Sequence, residues 1–302
     1  MKTNKKLHSI TLVSLALILF LVLVSSAASA DSEQNASSTG TYAYITNEFS
    51  SSVSIVDTDT NTVTATVPAG NHPAGVAVNP EGTRVYVANF YLDTYENTLS
   101  TLFDPKLILV KGTDEHVETG EGTVSVIDTA TNTLIATVPV ESSPVGVAIT
   151  PDGTKAYVAN RGSDIVSVID TSTNTVTAMV NVGSGPTGVT VTPDGAKVYV
   201  TNLYDSDVSI IDTATNTVTA TVPVGDNPYG VAVTPDGAKV YVSNAGSNTV
   251  SAIDTATNTV TATVPVGSWT LGVAVNPAGT KAYVTNYNDG TLSVIDTATN
   301  IV

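Results

Sequence analysis

The chain has 302 residues, a formal net charge of −16 and no cysteine. Such acidity argues against nucleic acid as a partner, because a phosphate backbone is bound through clustered Lys and Arg. Without cysteine there are no disulfides, thiol chemistry or cysteine-ligated zinc, so burial and strand pairing must hold an exported fold together.

Residues 1–30 read as a secretory signal. Lys2, Lys5 and Lys6 precede an apolar run from Ile10 to Val24, and Ala28-Ser29-Ala30 forms a cleavage site. A retained membrane anchor is the competing reading of that run. Residues 31–40 form a polar linker with a glycosylation sequon at Asn35-Ala36-Ser37. The expected location is therefore the cell surface or the extracellular space.

Residues 41–302 are organised by a repeat. Tyr-x-x-Asn recurs at Tyr44, Tyr86, Tyr157, Tyr199, Tyr241 and Tyr283, every 42 residues except for one step of 71. Asp57, Asp128, Asp170, Asp212, Asp254 and Asp296 keep the same beat, so the long step holds a 29-residue insertion within residues 90–122. Each unit predicts four short strands, here A to D. Thr192-Pro193-Asp194-Gly195 makes a tight A–B hairpin. The C–D connection, from Asp212 to Thr217, offers an Asp that can cap backbone N–H groups and an Asn that tolerates a left-handed turn, so the repeated aspartates read as structural. Pro68, Pro139, Pro223 and Pro265 fall in D, which makes D the outer edge. Strand A is Gly-Val-Ala-Val, small on both faces, as an innermost strand near a crowded axis requires. The expected fold is an all-β propeller of about six four-stranded blades.

Tyr199-Val200-Thr201-Asn202, Thr234-Pro235-Asp236-Gly237 and Val250-Ser251-Ala252-Ile253-Asp254-Thr255 resemble the YVTN family of β-propellers, and the resemblance covers almost all of residues 42–302. It implies a propeller of the kind found in archaeal and bacterial surface-layer and surface-antigen proteins; it implies no reaction. Six full repeats plus the insertion need 20 residues more than residues 42–302 provide. The first blade lacks strand A, and the last begins D only at Ile301-Val302. The shortfall reads as truncation from a larger propeller, or as an open ring with an unpaired edge.

Connectivity puts the D–A and B–C loops on one face, the top. The candidate binding set lies there: Phe49, His72, Phe90, Tyr91, Arg161, Tyr204, Tyr229, Trp269 and Tyr287. Aromatic rings on variable loops make apolar platforms with polar rims, suited to surface proteins or glycans; plugging of the channel mouth is the alternative. Glu48, Glu141, Asp164, Asp205, Asp207, Asp226 and Asp289 make the same face acidic and read as a solvated surface. Calcium is a weak candidate at Asp205-Ser206-Asp207 or at Asp114-Glu115-His116-Val117-Glu118, and no cofactor is expected. At the bottom, Arg84, Lys155, Lys197, Lys239 and Lys281 read as solvated or paired hairpin charges.

The expected function is non-enzymatic binding. A structural surface-layer role with self-association is the first alternative. A lactonase-like or other hydrolytic propeller is the second, with His72, Arg161 and Glu141 as its sole plausible top-face set. The insertion, which carries Leu107-Ile108-Leu109-Val110, is where individual specificity is expected to lie.

Overall fold

A computed structural model describes residues 22–23, 41–90 and 121–302. Tyr91, most of the insertion and the calcium candidate of residues 114–118 lie outside the described residues. The chain forms a six-bladed all-β propeller in which every blade is an antiparallel sheet with strands in chain order. Blade 4 shows the plan, with strand A at Pro186–Val191, B at Lys197–Asn202, C at Asp207–Asp212 and D at Thr217–Pro223. Blades 2, 3 and 5 repeat it. D lies on the outer edge, as the prolines require, and the A strands of successive blades pack against one another around the axis.

Two details differ from expectation. Blade 1 does have an inner strand, because Val22–Leu23 from the apolar run pairs with Tyr44 and Ala43. Blade 6 has three strands, and Ile301 bridges back to Asp296 where D begins.

The turns behave as their side chains dictate. Gly195 sits at φ 71° after the A–B turn, and Asp194 accepts the Ala196 N–H at 3.0 Å and the Thr192 hydroxyl at 2.6 Å. At the C–D turn Asp212 Oδ1 accepts the N–H groups of Ala214 and Thr215 at 3.1 and 2.8 Å, while Asn216 takes φ 52°. These bonds favour the ionised form and hold the Asp212 carboxyl below its ordinary range; Asp57, Asp128, Asp170, Asp254 and Asp296 are lowered in the same way.

The core lies between blades. Tyr157, Ala159, Val166 and Val168 of blade 3 close against Val191, Val198, Val200 and Ile211 of blade 4. The motif tyrosines Tyr86, Tyr157, Tyr199 and Tyr241 are fully buried there. The Tyr157, Tyr199 and Tyr241 hydroxyls donate to Asn216, Asn258 and Asn300 in the following blade at 2.9, 3.2 and 2.9 Å. Burial pushes the Tyr157 and Tyr199 phenols up to about 12. Four of the five bottom basic residues are paired across the blade boundary, and Lys281 is exposed. Arg84, Lys155, Lys197 and Lys239 each donate to a backbone carbonyl of the next blade, that of Thr171, Thr213, Thr255 and Thr297, at 2.6–2.7 Å. They are struts between blades.

Glycine in strand A permits this proximity. A Cβ on Gly75, Gly146, Gly188 or Gly230 would stand 2.3–2.4 Å from a carbonyl oxygen of the next blade's inner strand. Blade 6 breaks the series. Tyr283 is only half-buried, Thr285 is exposed and Leu292 is 54% exposed, so the face that blades 2–5 cover with a neighbour is uncovered here among the described residues.

Candidate functional site

Two D–A loops of the top face are pinned from both flanking blades. The Gly185 N–H donates to Asp164 Oδ1 of blade 3 at 2.7 Å, and the Ser184 N–H donates to Asp205 Oδ2 of blade 4 at 2.6 Å. Two blades further round, Trp269 and Ser268 donate in the same way to Asn248 and Asp289 at 2.8 and 2.7 Å. Asp164, Asp205 and Asp289 thus fasten loops while remaining exposed, as the solvated acidic surface requires. Asp207 accepts the Asn202 side-chain amide at 2.6 Å. Both carboxylates of the Asp205-Ser206-Asp207 candidate are therefore engaged within the protein, and no group of three or more metal-binding side chains assembles among the described residues.

The D–A loops share one left-handed backbone position, held by His72 (φ 44°), Ser143 (54°), Gly185 (66°), Asn227 (51°) and Trp269 (55°). Glycine and asparagine tolerate this conformation, whereas a bulky indole there is an outlier of the kind that marks functional sites. Trp269 is also tied to another candidate, since its carbonyl accepts the Tyr287 N–H at 3.0 Å.

Phe90 does not belong to an exposed platform. It is buried, 7% exposed, because it follows the motif Asn at a position that also buries Leu203 and Ala245 in blades 4 and 5. The same position in blades 1, 3 and 6 holds Glu48, Arg161 and Tyr287, which stay half-buried. Sequence reasoning placed Glu48 among the acids but did not single it out.

Three groupings result. In blade 1, Glu48 Oε1 lies 3.9 Å from His72 Nδ1, and Phe49 meets the His72 ring edge-on at a centroid distance of 6.2 Å. Between blades 3 and 4, an Arg161 guanidinium N–H donates to the Tyr204 hydroxyl at 2.6 Å, with the guanidinium carbon 5.6 Å from the ring centroid. Gly185 makes this contact possible, since a Cβ there would meet the Tyr204 ring at 2.5 Å. Tyr229 lies in strand A of blade 5 (Pro228–Val233). Burial raises its phenol pKa, Arg161 opposes that rise, and Glu48 and Tyr204 add to it. Groups from blades 1, 3 and 4 thus act electrostatically on one phenol of blade 5. Glu48 is itself raised by burial, with His72 pulling the other way. Trp269 and Tyr287 form a separate pair on blade 6.

The Choice-of-anchor I domain matches residues 97–272, more than half of the chain. The chain belongs to the Choice-of-anchor I family. Among solved structures, this Choice-of-anchor I propeller is similar to the hydrazine synthase of Kuenenia stuttgartiensis, at 22% identity and TM-score 0.55, over 85% of this chain and 92% of that one. It is also similar to a functionally unknown protein from Desulfotomaculum acetoxidans DSM 771, at 17% identity and TM-score 0.65, over 84% and 78% of the two chains. At these identities the likeness is one of fold alone. No curated protein matches the sequence.

Proposed function

We propose that this Choice-of-anchor I propeller is an exported, non-enzymatic surface module that binds a glycan or a protein through its top face. The built top-face groupings carry the reading, because the Phe49–His72–Glu48 cluster and the Arg161–Tyr204 pair are set on a rigid frame of pinned loops. The contrast between faces supports it. At the bottom the same struts and turns recur blade after blade, whereas the top positions carry Glu, Phe, Arg, Leu, Ala or Tyr on one scaffold. Variation on a repeating frame is how a binding surface acquires individuality. The family name and the YVTN-like repeat both favour a place at the cell surface.

A glycan array probed with purified protein tests the reading. Retention is expected for wild type and loss for a Tyr229→Ala, Trp269→Ala double variant whose thermal midpoint is unchanged. Retention that survives the double substitution would place binding elsewhere.

A further inference from the structure

Blades 2 to 6 share an inner strand of one kind, in which Gly-Val-x-Val or Gly-Val-x-Ile follows two other residues. In blades 2 to 5 the neighbouring blade imposes the glycine, because a Cβ there would stand 2.3–2.4 Å from a carbonyl oxygen of the next inner strand. In blades 4, 5 and 6 the glycine N–H also donates to a hydroxyl of its own strand B, from Gly188 to Thr201, Gly230 to Ser243 and Gly272 to Thr285, at 2.8–2.9 Å. Five blades thus state what an inner strand must be.

Blade 1 has the same seat with a different occupant. Its strand B, Tyr42–Asn47, pairs along its whole length with Ser52–Asp57, but on the inner side Val22 and Leu23 alone pair with it among the described residues. These two residues also pack against the inner strand of blade 2, Pro73–Val78. Thr46 stands where Thr201 and Ser243 stand in blades 4 and 5. It donates to the Ala74 carbonyl of blade 2 at 2.8 Å, as Thr201 does to that of Tyr229, yet no described inner-strand N–H reaches its oxygen. Val22 and Leu23 belong to the apolar run Ile10–Val24, which contains no glycine, and cleavage after Ala30 would remove them. Strand B of blade 1 would then present a row of unpaired backbone N–H and C=O groups, a template for another strand.

We infer that the inner edge of blade 1 is a strand-accepting site. The apolar segment fills it in the precursor, and an extended Gly-Val-x-Val segment of a partner protein fills it in the processed chain, antiparallel to Tyr42–Asn47 with its glycine N–H on Thr46 Oγ1. Backbone hydrogen bonds supply the affinity and the close approach of blade 2 supplies the selection for glycine. The source is a separate protein, because each inner strand of blades 2 to 6 is already paired in its own blade and a second copy has none to lend. This site does not depend on binding at the top face.

A labelled peptide with the sequence of residues 226–236, which contains the inner strand of blade 5, tests the inference by fluorescence anisotropy against the chain exported from a bacterial host. The intact mass is expected to place the first residue at Asp31. The peptide should bind, and the same peptide carrying Gly230→Leu should bind roughly 10-fold or more weakly, since a larger side chain overpacks the seat. Bound peptide should slow hydrogen exchange within Tyr42–Asn47. Retention of residues 22–23 in the exported chain overturns the inference and makes the apolar segment the permanent inner strand. A processed chain that ignores the peptide, binds both peptides equally, or gains protection outside Tyr42–Asn47 also overturns it. Self-association that the peptide disperses overturns the choice of source and assigns the edge to a second copy.

Discussion

At the residue scale, the turn aspartates are the clearest link from sequence to energetics. Asp at the end of strand C was legible as a cap because its side chain serves its own backbone two and three residues on, a relation that lies entirely within a short window. Nine such carboxyls, six at C–D turns and Asp152, Asp194 and Asp236 at A–B turns, are held below the ordinary value of 3.8 by bonds from hydroxyls and backbone N–H groups. A depressed folded-state pKa contributes stability that is present above the unfolded value and is lost as the pH falls through the folded one. The thermal midpoint is therefore expected to be flat from pH 7 to about 5 and to drop below about 4. Asp212→Asn keeps an oxygen for the Ala214 and Thr215 N–H groups but takes up no proton. It should shallow the acid limb while lowering the midpoint at neutral pH. Melts across the pH range check this; an acid limb identical in wild type and variant would remove the carboxyl from the account.

At the element scale, local patterning predicted the strands well. Alternation, the Pro-Asp-Gly hairpins and the edge prolines give the order A to D within each blade. What local patterning could not supply is any bond whose partner lies a blade away. Lys197 and Lys239 reach carbonyls 58 residues downstream, and a carbonyl has no sequence identity to recognise, so the basic residues looked like ordinary hairpin charges. Tyr199 and Asn258 are both motif residues, yet their pairing across 59 residues becomes visible only when blades are set side by side. The structure supplies an internal control for the strut. Lys239→Met removes a charged donor from the Thr297 carbonyl and should cost about 1 kcal/mol in urea unfolding. Lys281→Met changes the same repeat position on exposed blade 6 and should cost close to nothing. Equal losses would mean that the lysines act through their strands and not across the blade boundary.

At the scale of the whole molecule, the six-bladed plan was legible because it repeats, and the site was only partly legible because it does not. Loop composition located the top face and most of its aromatics. It could not show that Phe90 turns inward, that Asp164, Asp205 and Asp289 fasten loops, or that Arg161 reaches the Tyr204 hydroxyl of the next blade, since those facts depend on how blades are rotated about the axis. The same rotation produces a close approach between successive inner strands, and this gives a test of how the ring is held. In a nearest-neighbour architecture each blade is stabilised chiefly by the blades it touches. Gly230→Ala would bring a Cβ to 2.4 Å from the Leu271 carbonyl, an atom of backbone that cannot move aside without separating blades 5 and 6. Overpacking of this kind costs about 1–3 kcal/mol, and the added hydrogen exchange should concentrate in Thr270–Val275 and Pro228–Val233. Gly272→Ala is the same substitution one repeat later, where the nearest atom among the described residues is the rotatable Thr285 hydroxyl at 3.1 Å. Reduced freedom of the unfolded chain partly offsets that small clash, so a change within about 1 kcal/mol is expected. A large loss at both positions would show that strand A requires glycine for its own backbone. A loss confined to Gly230 would show that the requirement comes from the neighbouring blade.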